Sequence, residues 1–115
     1  MAVVLLSSDL TVLSRVEGAA ARLGQTIRSA SGELQAVEFC GADDAVTLVV
    51  DLSMSSLDVA SLVNQLKAKE GPRTRVVAFG PHVHEQRLAA ARAAGCDLVV
   101  SRGQFFSQLE TILKE

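Results

Sequence analysis

Five short apolar runs, each closed by polar residues or glycine and each followed by a helix-patterned stretch, constrain this chain most. The first run, Ala2 to Leu6, is β-branched enough to be a fully buried strand. Ser7 and Ser8 end it, and Ser8 is placed to cap the helix that follows. From Asp9 to Leu23 the residues Leu10, Val12, Leu13, Val16, Ala19, Ala20 and Leu23 recur at helical spacing, and Gly24 stops the helix. Gln25 to Ala30 reads as a weak strand with Ile27 its only large apolar residue, which suits a sheet edge. A second helix is expected from about Gly32 to Cys40, capped by Ser31, with Leu34, Val37 and Cys40 on one face. Reading Leu34 to Phe39 as a strand instead leaves only about five residues before the next strand, too few for a parallel crossover.

Ala45 to Val50 is the clearest central strand and runs into Asp51. Leu57 to Lys69 is an amphipathic helix broken by Gly71-Pro72, and Arg75 to Phe79 is a fourth strand ended by Gly80-Pro81. Glu85 to Ala94 is an alanine-rich helix stopped by Gly95, Leu98 to Val100 a short fifth strand, and Gln104 to Leu113 a last helix. Strands alternating with helices imply right-handed βαβ units around a parallel sheet. The chain is thus expected to be one α/β domain spanning residues 1–115, without an output domain. Ligands of such sheets sit at the carboxyl ends of the strands. The residues to weigh for chemistry are therefore Ser7 to Asp9, Asp51 to Met54, Gly80 to His84 and Ser101 to Gly103.

Composition excludes several classes. Hydrophobic residues make up 49% of the chain but aromatics only 3%, so the core must be aliphatic. A net charge of −2 gives no nucleic-acid surface, and no apolar run reaches the roughly 18 residues of a membrane span. Cys40 and Cys96 have neither metal spacing nor a CxxC pairing, so they read as small buried hydrophobes of a cytoplasmic protein. The first strand-to-helix turn has no glycine, which argues against dinucleotide or Walker-type phosphate binding. Ser53, Ser55 and Ser56 near the third helix are read as loop and cap chemistry rather than an anion site.

Order and spacing then become specific. Thr47-Leu-Val-Val-Asp51-Leu-Ser-Met54 looks like a third strand ending in a phosphoacceptor aspartate, and Gly95-Cys-Asp97 looks like the segment before a functional lysine, here Arg102. Over nearly its whole length the chain resembles the receiver domain of two-component response regulators. The resemblance implies a flavodoxin-like fold, three layers with a five-stranded parallel sheet in the order 2-1-3-4-5. It also implies an acid pair after the first strand that holds Mg²⁺ with the phosphoacceptor, a hydroxyl after the fourth strand and a lysine after the fifth.

Here the acid pair is Ser7 and Ser8, the hydroxyl position is Gly80 and the lysine is Arg102. Asp9 does not rescue the pair, because the Ser8-to-Gly24 distance fits the family only when Ser8 fills the second acidic place. Serines are poor ligands for a hard dication. The expectation is a stand-alone degenerate receiver with no enzyme activity and no cofactor, acting through protein partners. Asp51, deprived of Mg²⁺, is expected to pair with Arg102, directly or through water.

In receivers the face of the fourth helix, fifth strand and fifth helix is the usual partner and dimer surface. The resemblance places Arg87, Arg92, Phe105 and Phe106 there, with one of the two phenylalanines in the core and the other an anchor for a partner or a second copy. Two other readings stay open. One is a working phosphorelay receiver that uses Asp51 and Mg²⁺. The other is a small metal- or ligand-binding domain built on His82, His84 and Asp51.

Overall fold

A computed structural model describes residues 2–42, 46–55, 57–68 and 73–115. Ala45, Ser56, Lys69 and the Gly71-Pro72 stop lie outside the described residues. The elements are β1 (Ala2–Leu6), α1 (Leu10–Arg22), β2 (Thr26–Ala30), α2 (Glu33–Cys40), β3 (Val46–Asp51) and α3 (Val59–Ala68). They continue as β4 (Arg75–Gly80), α4 (Glu85–Ala94), β5 (Leu98–Ser101), α5 (Arg102–Ser107) and α6 (Leu109–Lys114). All strand pairs are parallel and the sheet order is β2-β1-β3-β4-β5. This is the three-layer flavodoxin-like architecture, and it puts the weak strand β2 at an edge as expected.

The sheet is buried on both sides because successive side chains of a strand point to opposite faces. Val4, Leu6, Leu48 and Val50 pack with residues of α2, α3 and α4. Val3, Leu5, Val49 and Phe79 pack with residues of α1, α5 and α6. Phe79 and Phe105 stack with ring centroids 4.2 Å apart, so the few aromatics are concentrated in the second layer. Gly24 and Gly95, at φ 69° and 97°, take the left-handed turns that end α1 and α4.

Several local expectations change. Asp9, not Ser8, caps α1: its carboxylate accepts from the amides of Thr11 at 2.8 Å and Val12 at 3.4 Å. Gly32, one position later than expected, is the cap residue of α2, while Ser31 donates its N–H and hydroxyl to Gln35 Oε1. Leu34 is 81% exposed and Leu10 79% exposed, so neither serves the core. The buried stripes run through Ala36 and Cys40 and through Val12 and Val16. Leu34 and Leu10 each stand two residues before such a stripe, about 200° around the helix. The last helix is two: α5 begins at Arg102 and breaks at Gln108, where φ is −120° and ψ 22°. Its early start follows from Ser101, whose side chain forms a reciprocal capping box with Gln104.

Candidate functional site

Strands β1, β3 and β4 bring Ser7, Asp51 and Gly80 to one carboxyl edge of the sheet, and Arg102 follows directly on β5. Asp51 is 1% exposed. Its Oδ2 accepts from the Ser7 hydroxyl at 2.7 Å. Its Oδ1 accepts from the Ser53 amide at 3.0 Å and from the Ser53 hydroxyl at 2.5 Å. Ser7 is itself oriented, because its Oγ accepts from the Asp9 amide at 3.1 Å. A buried carboxylate needs such donors in place of water. Both oxygens of Asp51 are thus occupied by two serines from two different turns. The Ser53 contact could have been read from sequence, since an Asp side chain commonly accepts from the residue two positions on.

Arg102 is not at Asp51. Its Nη2 donates to Asp9 Oδ2 at 3.0 Å, and its guanidinium lies 5.1 Å from the centre of the Phe106 ring. This corrects the expected direct Asp51–Arg102 pair, and desolvation explains it. Carrying a guanidinium to a carboxylate already saturated by hydroxyls would strip its water for little gain, whereas Asp9 sits at the hydrated rim. The same hydrogen bond from Arg102, followed by the amide of Thr11, holds the Asp9 carboxyl below its ordinary value of 3.8.

Gly80, where the receiver pattern would have a hydroxyl, is buried under Leu52. A Cβ at residue 80 would stand 3.2 Å from Leu52 Cβ and 3.8 Å from Leu88 Cδ2. Leu52 is fixed by its own backbone: its amide donates to the Phe79 carbonyl at 2.8 Å, and its carbonyl accepts from Arg87 Nη1 at 2.9 Å. Arg87, expected at a partner surface, therefore has one donor committed inward. Phe105 is wholly buried and is removed from that surface, whereas Phe106 is half-buried and Arg92 exposed.

His82 and His84 are exposed in the turn before α4. Among the described residues no three His, Cys, Asp or Glu side chains come together as a metal site, so Asp51 does not join the histidines. Nor do the residues present fit Mg²⁺. Ser7 and Ser53 bring hydroxyls rather than carboxylates to Asp51, Asp9 is engaged by α1 and Arg102, and both Asp51 oxygens are taken. Cys40 is buried, and burial followed by the Asp97 charge pushes the half-buried Cys96 thiol up to about 11.

No family sequence model matches the chain, and no curated protein matches it by sequence. Solved structures do match it by shape. One is the receiver domain of the sensor histidine kinase PA1611 from Pseudomonas aeruginosa, which holds a magnesium ion in its active-site cleft. It is 19% identical with a TM-score of 0.78, covering 98% of this chain and 93% of that one. A response regulator from Thermotoga maritima is 18% identical with a TM-score of 0.78 and the same coverage, 98% and 93%. The Saccharomyces cerevisiae complex of the histidine phosphotransfer protein Ypd1 with the receiver domain of Ssk1 matches at 13% identity. Its TM-score is 0.74, over 96% of this chain and 86% of that one. The chain has the receiver-domain fold.

Proposed function

We propose that this domain is a degenerate receiver, a cytoplasmic signalling module that binds a protein partner without Mg²⁺-dependent phosphorylation of Asp51. One observation carries the reading: the Asp51 carboxylate is closed by the hydroxyls of Ser7 and Ser53. A phosphoryl acceptor must present a free oxygen beside a divalent cation, and here hydroxyl donors fill those places. Arg102, held by Asp9 and Phe106, is drawn away from the role of reporting on Asp51. The module is then a constitutive binder rather than a switch. A receiver domain solved with a histidine phosphotransfer protein makes a phosphorelay component the first partner class to test. The exposed face of α4, β5 and α5, with Arg92, is where such a partner, or a second copy, would sit; Phe106 turns instead toward α1, under Arg15.

The test exposes the protein to acetyl phosphate, and separately to beryllofluoride, each with Mg²⁺. The expected result is no gain of a phosphoryl group by mass and no amide shifts at Ser7, Asp51 and Ser53. A phosphorylated species lost in Asp51→Asn would establish the working receiver instead.

A further inference from the structure

The groove between α1 and the broken α5–α6 segment has a volume of about 530 Å³, within the range of roughly 300–1,000 Å³ typical of ligand sites. Three features set it apart. First, Gly18 lines it from the middle of α1, where glycine is unfavourable relative to alanine. An added Cβ would meet only Arg22 Nη1, at 3.4 Å, so packing does not demand the glycine and its effect is to keep the groove open. Second, Arg15 lies over the Phe106 ring at 4.6 Å, and among the described residues no carboxylate pairs with it. Arg22, further along the same wall, is by contrast already bound to Glu110. Third, beyond the break at Gln108 the far wall brings Ser107 and Thr111 opposite Ser14; the Ser107 hydroxyl already donates to the Gln104 carbonyl at 3.2 Å, which leaves the hydroxyls of Ser14 and Thr111 to face a ligand. A second groove of about 530 Å³ carries Glu33 and Asp58 and no cation among its described lining residues.

A guanidinium placed over a ring still has N–H groups for an oxyanion, and hydroxyls supply further donors. We infer that this groove binds a small polar phosphate ester, its phosphate on Arg15 and its hydroxyl-bearing part along Ser14 and Thr111. The site lies on α1, α5 and α6, away from the Asp51 carboxylate, and stands whether or not Asp51 accepts a phosphoryl group.

The test is an amide NMR titration with glycerol phosphate, and with inorganic phosphate as the smaller probe, at fixed ionic strength. Saturable shifts are expected at Ser14, Arg15, Gly18, Ser107 and Thr111, with glycerol phosphate the tighter ligand. Arg15→Ala should weaken it by about tenfold or more, the loss of one charge-assisted hydrogen bond. Gly18→Ala, which leaves the fold intact but narrows the groove, should weaken it too, and Arg92→Ala on α4 should not. Shifts that are absent, that never saturate, or that survive Arg15→Ala would overturn the inference. Shifts centred on Ser7 and Ser53 would also overturn it, and would count separately against the reading of Asp51 as closed.

Discussion

Asp9 combines two tasks that pattern reading divides among its neighbours: it caps α1 and it holds Arg102. Both tasks require the charged carboxylate, so its folded pKa lies below the unfolded one. The sign follows. The stabilisation is complete above the ordinary value of 3.8 and is lost as pH falls through the lower folded value. In a carboxyl-detected NMR titration Asp9 should therefore reach its midpoint below 3.8, and Arg102→Ala should move that midpoint upward. A midpoint unaffected by Arg102→Ala would mean that the ion pair does not form in solution. The capping role was within reach of sequence reading, since Asp suits a cap as well as Ser. The partner was not, because Arg102 lies 93 residues away.

Helix α4 buries only a narrow stripe against the body. Only Leu88 and Ala91 are buried, and much of the alanine-rich remainder faces outward. The Arg87 bond to the Leu52 carbonyl ties the first turn of α4 to the loop that follows Asp51. Arg87→Ala should accordingly weaken α4 by about 1–2 kcal/mol. In native-state hydrogen exchange its amides should then open about tenfold or more faster, with β3 little changed. Equal acceleration in α4 and β3 would show that Arg87 supports the whole fold instead. The start and stop of α4 were legible, because Glu85 and Gly95 mark them locally. The strut was not, since a guanidinium reaching a carbonyl 35 residues back leaves no periodic trace. The break at Gln108 was equally hidden, because no proline or glycine marks it.

Across the whole molecule, β3 is the strand on which both layers close. Val49 belongs to the layer of α1, α5 and α6, and Val50 to the layer of α2, α3 and α4. Each is wholly buried, so Val49→Ala and Val50→Ala should each cost on the order of 1–3 kcal/mol in chemical denaturation. Because the two face separate cores, the double variant should cost close to their sum. A loss within error at both positions would remove β3 from the centre of the sheet. The residues by themselves determined the alternation of five strands with helices, the sheet order through the family resemblance, and the placing of Asp51 at a strand end. The first and last of these follow from hydrophobic period, turn residues and spacing, which are properties of neighbours along the chain. Only the tertiary structure decided that Ser7 closes over Asp51, that Arg102 turns to Asp9, and that Phe105 is buried while Phe106 is partly exposed. Those outcomes depend on which chain-distant groups come within reach, and on how much water each must lose to meet.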